Sequence, residues 1–352
     1  MSGVDPLSGA AVLNLMMGAG VGGLEGMALN CHQALEARDV RMLSVGAPKG
    51  WLAEAFTGLN RADAFRPLPI WSRLDPTAPL RLRWIARRFG ADIVLAHGSH
   101  AVKLAVQAFS HRRPVAAMVH NFRAKPDLAG VDLALCVSPA VERDVNERFP
   151  GLRTRLVENF APLLTQAPRR PYAGPPRIGS IGRLHRNKGY DQLIRAAAAL
   201  RARGLDFRLV IAGEGPERGA LQALADTLGL GDRVSLPGWV DDPAAAFAEI
   251  DLFVLSSVVE PFGLVVIEAM AARVPVIASD IDGPRDILGA GRWGRLVPPR
   301  DPEALAQAIA EVLADPAAAE ATAWAAQVET MDRYSMEAGG ARLAASLGPL
   351  IH

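Results

Sequence analysis

Two groups of residues about eighty positions apart carry the charges that a phosphorylated sugar calls for. The first, Gly182-Arg183-Leu184-His185-Arg186-Asn187-Lys188-Gly189, sets fixed cations among glycines. The second, Glu260-Pro261-Phe262-Gly263-Leu264-Val265-Val266-Ile267-Glu268, sets two carboxylates eight residues apart, with Pro and Gly ahead of an apolar helix. A diphosphate needs cations and bare backbone amides, whereas sugar and ribose hydroxyls need carboxylates to accept their protons. A chain that offers both in this order is expected to hold a nucleotide sugar.

Spacing refines that expectation. Arg183 and Lys188 follow an apolar run at 177–181, so they fall at the carboxyl edge of a strand and just before a helix, where phosphate is commonly held. Arg grips two oxygens, and Lys acts as a point charge. Glu260 follows a second buried run at 252–256. Pro261 and Gly263 mark the start of a helix whose free amides, near Phe262, Gly263 and Leu264, face a ligand. Glu268 is expected about two turns inside it, about 9–12 Å further on. Gly18-Ala19-Gly20-Val21-Gly22-Gly23 contains the Gly-x-Gly-x-x-Gly pattern directly after a strand. The second strand, 40–45, ends in Gly46-Ala47-Pro48 rather than an acid, which argues against a dinucleotide cofactor; the glycines still permit close backbone approach. Asp280-Ile281-Asp282 has a spacing used elsewhere to hold a divalent metal, but capping and turn chemistry account for both acids, so no metal is expected. His120 ends the run 114–120 and is read as a hydrogen-bond partner for a sugar hydroxyl or phosphate, or as a structural histidine. His97-Gly98-Ser99-His100 is read as loop chemistry.

The elements that must position these residues alternate in type. Near-continuous apolar runs at 11–17, 40–45, 92–96, 114–120, 133–138 and 154–158 suggest strands buried on both faces of a parallel sheet. Helices at 24–37 and 101–110 lie between them. Residues 166–176 hold four prolines and read as a linker. The alternation then restarts, with strands at 177–181, 207–212, 233–236, 252–256, 275–279 and 295–297. Helices fall at 190–203, 217–228, 244–250, 264–272 and 302–313, the last capped by Asp301 with Pro302 following. The pattern predicts two Rossmann-like, doubly wound parallel-sheet α/β domains, residues 1–165 and 177–334, facing a cleft, and a final helix within 335–352.

Bulk properties exclude some classes. The 352 residues are half hydrophobic, 21% charged and of net charge +1, which suits a globular protein and gives no argument for nucleic acid. Residues 1–165 carry 19 Lys and Arg against 14 Asp and Glu, and residues 166–352 carry 19 against 23. A mildly basic first half suits an anionic acceptor or membrane surface. The segment 80–89, Leu-Arg-Leu-Arg-Trp-Ile-Ala-Arg-Arg-Phe, is basic and amphipathic and either touches lipid or covers its own sheet. Cys31 and Cys136 lie in apolar runs and are read as buried thiols. With no charged segment leading into an apolar stretch and no apolar run of about 18 residues, a cytoplasmic location is expected, possible contact with the inner face of the membrane aside.

These motifs resemble the retaining glycosyltransferases of family GT4, which have the GT-B fold. Glu260 and Glu268 match the family's Glu-x7-Glu. Gly182, Arg183, Lys188 and Gly189 match its Gly-Arg-x4-Lys-Gly, and Gly22-Gly23-Leu24-Glu25 its N-terminal Gly-Gly-x-Glu. Residues 210–216 and 296–303 look like further family segments. The resemblance implies that the C-terminal domain holds the donor: Arg183 and Lys188 on the diphosphate, Glu268 on ribose, Glu260 on the transferred sugar. It assigns the acceptor to the N-terminal domain, with Gly22 and Gly23 near the diphosphate, His120 near the transferring sugar, and a final helix that crosses back. No cofactor and no metal are implied. The expected activity is transfer from a UDP- or GDP-sugar to a glycan or lipid-linked acceptor in bacterial envelope polysaccharide or lipopolysaccharide synthesis. A sugar-nucleotide epimerase and a non-catalytic nucleotide-sugar-binding subunit are the alternatives. Residues 281–286, Ile-Asp-Gly-Pro-Arg-Asp, depart from the Gly-Gly and Pro-Glu of many relatives.

Overall fold

In the computed structural model the described residues are 6–20, 22–72, 75–110, 112–165, 174–240 and 242–351. Most of the linker expected at 166–176 lies outside them. The chain divides into two compact units, residues 1–162 with 334–352, and residues 163–333.

In the first unit the strands are β1 (Ala11–Met16), β2 (Arg41–Gly46), β3 (Phe65–Pro67), β4 (Ile93–His97), β5 (Val115–Val119), β6 (Leu133–Cys136) and β7 (Thr154–Leu156). They form one seven-stranded parallel sheet in the order β3-β2-β1-β4-β5-β6-β7. Helices α1 (Gly23–Glu36), α2 (Trp51–Gly58), α3 (Ala78–Phe89), α4 (Gly98–Phe109) and α5 (Pro139–Arg148) connect them. Every residue of β1, β4, β5 and β6 is buried, which is why these strands read as near-continuous apolar runs. One polar residue interrupts β1: Asn14, fully buried.

The second unit repeats the plan with β8 (Arg177–Ile181), β9 (Arg208–Ala212), β10 (Val234–Ser235), β11 (Leu252–Leu255), β12 (Val276–Ser279) and β13 (Arg295–Val297). Its six-stranded parallel sheet has the order β10-β9-β8-β11-β12-β13. Its helices are α6 (Tyr190–Ala202), α7 (Arg218–Thr227), α8 (Pro243–Ala248), α9 (Leu264–Ala271), α10 (Asp282–Ile287), α11 (Pro302–Ala314) and α12 (Pro316–Tyr334). Asp301 caps α11 as its sequence position predicts, accepting from the Ala304 amide at 2.9 Å. The last helix, α13 (Met336–Leu347), packs on α1 in the first unit. Two glycines allow this approach. A Cβ on Gly339 would stand 2.0 Å from the Phe160 ring, and one on Gly340 would stand 3.1 Å from Ala34.

Strand order reverses in each sheet where the first strand meets the fourth, between β1 and β4 and between β8 and β11. Loops there diverge and leave a crevice beyond the strands' carboxyl ends. The same device sets the register at both places. Asp92, just before β4, accepts the Ala11 amide at 2.8 Å, and Asp251, just before β11, accepts the Arg177 amide at 2.8 Å. Both cysteines are buried and free, as expected. No helix among the described residues is long and apolar enough to cross a membrane.

Candidate functional site

In the second unit, the loops that leave β8 and β11 carry the cations and the first carboxylate. After β8 the chain enters Gly182 at φ +157° and passes Arg183. It makes a short 3-10 turn over Arg186–Lys188 and reaches α6 through Gly189 at φ +61°. Neither glycine angle suits an L side chain. Gly189 is also pressed against the β11 loop, where an added Cβ would lie 2.2 Å from the Ser256 carbonyl oxygen. The Ser256 hydroxyl donates to the Lys188 carbonyl at 2.9 Å, and the Val258 amide to the Asn187 carbonyl at 2.8 Å. The two loops are thus one hydrogen-bonded body, lying across the crevice between β8 and β11.

Lys188 and Glu260 meet there. Lys188 Nζ donates to Glu260 Oε2 at 2.5 Å, and the Ser257 hydroxyl donates to the same oxygen at 3.3 Å. The pair is partly buried, with side chains 24% and 13% exposed. An ammonium has three donors, so Lys188 can hold Glu260 and a phosphate oxygen together. Among the described residues the donors to the Glu260 carboxylate reach Oε2 only. The Arg183 side chain is exposed and makes no ion pair or hydrogen bond among the described residues, although its carbonyl accepts from the His185 amide at 2.8 Å. Its guanidinium fork is available to an anion.

The neighbouring loops close on this pair through glycines. A Cβ on Gly213, after β9, would lie 2.0 Å from the Gly182 carbonyl oxygen, and one on Gly215 would lie 2.2 Å from that of Leu184. Gly283, after β12, would place a Cβ 2.3 Å from the Phe262 carbonyl oxygen. These glycines serve contacts between loops.

Gly263, at φ +114°, precedes α9 and offers no side chain to cap its first turn. Amides at that turn have no partner within the helix. The Phe262 ring is buried, so only its backbone can meet a ligand. Glu268 lies about one turn inside α9, not two, because the helix starts at Leu264, and four residues span about 6 Å. Burial pushes its carboxyl up to about 7. Its carboxyl makes no hydrogen bond or ion pair among the described residues, while its backbone carbonyl accepts from the Ala272 amide at 3.0 Å. Asp282 stands in the first turn of α10, and Asp280 does not act as a cap. Asp280 instead grips Arg285 through both oxygens, at 2.7 Å each, and the N-cap of α10 is Ile281. Sequence reasoning missed Tyr190, the first residue of α6. A Cβ on Gly182 would lie 2.9 Å from its buried hydroxyl, and burial pushes the phenol up.

The first unit holds the remaining expected residues. Gly22 caps α1 in extended backbone and Gly23 is its first residue; both are exposed. His120 follows β5 and lines a cavity of about 310 Å³ with Leu24, Ser99, Asn121, Arg123 and Lys125. His97 is not a loop residue: it ends β4, is buried, and lies with its Nδ1 3.4 Å from His120 Nε2. A larger hollow of about 750 Å³ runs along β9 and β10 beside α8, but Lys188, Glu260 and Glu268 are not in its walls.

Two doubly wound parallel-sheet halves, the second with a cation paired to a carboxylate over its switch point, define an α/β protein of two Rossmann-like units. The sequence profile described as Glycosyl transferases group 1 matches residues 165–329, and that of Glycosyltransferase Family 4 matches residues 21–163. The chain is 30% identical over 306 residues to the lipopolysaccharide core biosynthesis glycosyltransferase LpsE of Rhizobium meliloti, covering 84% of this chain and 86% of the relative. It is 30% identical to the GDP-mannose-dependent alpha-(1-6)-phosphatidylinositol monomannoside mannosyltransferase of Mycolicibacterium smegmatis, over 78% of this chain and 66% of that one. The structure of Anabaena Alr3699/HepE in complex with UDP superposes with a TM-score of 0.83 at 20% identity, covering 97% and 100% of the two chains. The chain belongs to the GT4-type glycosyltransferases of GT-B fold and is a glycosyltransferase.

Proposed function

We propose that the protein is a retaining, metal-independent glycosyltransferase that moves a sugar from a UDP- or GDP-sugar to a glycan or lipid-linked acceptor in envelope polysaccharide synthesis. The observation that carries this reading is the Lys188–Glu260 pair over the switch point of the second unit, with the exposed Arg183 in the same loop as Lys188. Departure of a nucleotide from the anomeric carbon builds negative charge on the diphosphate. On this reading Arg183, Lys188 and the amides of Gly263 and Leu264 stabilise that charge. Glu260, steadied by Lys188 and Ser257, accepts from hydroxyls of the transferred sugar, and Glu268 accepts from those of ribose. In the first unit, Gly22 and Gly23 let backbone approach the diphosphate, and His120 meets a sugar hydroxyl.

Support for a lipopolysaccharide or glycolipid acceptor comes from the names of the relatives and from α3. Its Leu80 and Trp84 are 59% and 63% exposed, and Trp71 nearby is 81% exposed. Arg88 lies over the Trp84 ring at 5.5 Å and Arg81 over the Trp71 ring at 5.2 Å. Exposed indoles beside arginines suit the headgroup region of an anionic bilayer. The test is product analysis by NMR with UDP-, GDP- and ADP-sugars against an array of glycan and glycolipid acceptors. The expected product keeps the donor's anomeric configuration. An isomerised nucleotide sugar formed without acceptor, or binding with no transfer to any acceptor, would overturn the proposal.

A further inference from the structure

A chain of buried polar groups runs across the first unit's sheet and ends at His120. Asn14 Nδ2, on β1, donates to the Ala28 carbonyl of α1 at 2.9 Å and to the Ser44 hydroxyl of β2 at 3.0 Å. Its Oδ1 lies 2.8 Å from His97 Nε2 on β4. His97 Nδ1 in turn lies 3.4 Å from His120 Nε2. At the far end the Ser44 hydroxyl lies 2.9 Å from His32 Nδ1. Asn14, Ser44, His97 and His32 are all buried.

The proton positions follow from one fixed point. A carbonyl only accepts, so the Asn14 atom facing Ala28 must be the NH2 group, and the atom facing His97 must be the oxygen. His97 must then donate from Nε2. Burial, and secondarily the neighbouring His120, hold His97 well below its ordinary pKa, so it carries one proton and its Nδ1 is a bare acceptor. His120 must therefore place its own proton on Nε2. Burial also pushes His120 down to about 4, so this is its single ring proton at pH 7. Its Nδ1 is left as a lone pair on a ring that walls the 310 Å³ cavity.

We propose that Asn14 and His97 are positioning residues for His120, holding its ring in the Nε2–H tautomer so that Nδ1 accepts a hydrogen bond from a ligand hydroxyl. The proposal rests on the reading of His120 as a sugar-contacting residue and adds what that contact selects. The site favours a hydroxyl donor and disfavours a group that only accepts, such as a ketone or ether oxygen, because that group would leave the lone pair unmatched.

Long-range 1H–15N correlation spectra of the full chain with 15N-labelled histidine at pH 7 read the tautomers directly. The seven histidines are sorted by the His97→Gln and His120→Asn spectra. His97 and His120 are both expected as Nε2–H; His120 as Nδ1–H or as imidazolium overturns the proposal. His97→Gln keeps a donor for Asn14 and an acceptor for His120 on one amide, so kcat/KM is expected within about threefold of wild type. His97→Leu is expected to lose about tenfold or more. Equal losses in both variants, with circular dichroism unchanged, would also overturn it. The spectra need no turnover. Correct tautomers without transfer on any acceptor would sink the transferase reading and leave the relay standing, whereas transfer with an Nδ1–H His120 would sink the relay alone.

Discussion

Replacing Glu268 with Gln separates what burial does to this carboxyl from what a ligand asks of it. Burial raises its pKa from 4.5 to about 7. A group whose folded pKa lies above its unfolded value gives stability that is full below the unfolded pKa, here about 4.5, and lost as pH rises through about 7. A rise of one pH unit in a pKa is worth about 1.4 kcal/mol, so the ceiling is about 3 kcal/mol, and partial exposure of the residue reduces this to about 2 kcal/mol. Glu268→Gln removes that loss. In thermal melts the variant is expected to gain on wild type by roughly 3 °C between pH 5 and pH 8, for a chain of this size. Donor binding is expected to move the other way. The phosphates of a sugar nucleotide stay ionised over this range, so wild-type affinity follows ionisation of Glu268. It should be about tenfold weaker at pH 6 than at pH 8. The variant should bind weakly and without this pH dependence. A variant that binds UDP-glucose or GDP-mannose as tightly as wild type, with the same pH profile, would refute the ribose role. Melting differences that do not change with pH would refute the burial argument.

Gly189→Ala should lower the melting temperature by about 5 °C or more and abolish donor binding. Its φ of +61° and a Cβ 2.2 Å from the Ser256 carbonyl force the β8 and β11 loops apart. Gly219→Ala, on an exposed face of α7 with nothing within 4 Å, should be neutral or slightly stabilising in the same melts. Transfer should be unchanged by EDTA, since both Asp280 oxygens are engaged by Arg285; loss of activity restored by a divalent cation would contradict this. Trp84→Ser should reduce co-sedimentation with phosphatidylglycerol vesicles severalfold while leaving transfer to a water-soluble acceptor intact; unchanged sedimentation would sever α3 from the membrane.

The central strands were legible because both faces are buried, which turns β1, β4, β5, β6 and β11 into near-continuous apolar runs. Edge strand β3 escaped notice because it is three residues long with two exposed, and α5 because it is largely polar between Pro139 and Arg148. Helix α12 was hidden by Pro316, which reads as a stop after α11 yet begins nineteen helical residues. At the site, charged residue types and their spacing were visible in the chain, but their partners were not. Nothing local tells that Lys188 will reach Glu260 across 72 positions, or that Asn14 will face His97 across 83. The one available signal was Asn14 itself, an amide within the apolar run Val12-Leu13-Asn14-Leu15-Met16, since a buried amide requires partners. The glycines could be seen, but not that Gly189, Gly213 and Gly283 serve loop-to-loop contact, because that depends on which strands are neighbours.

Calorimetric titration of the wild type, Arg183→Ala and Lys188→Ala with UDP-glucose and GDP-mannose tests the donor site most directly. One of the two ligands is expected to bind the wild type, with each substitution weakening it by about ten- to a hundredfold through loss of a charge-assisted contact. Lys188→Ala should weaken it more, because it also leaves Glu260 largely buried without its cation. Undiminished binding by both variants would place the diphosphate somewhere other than the loops of β8 and β11.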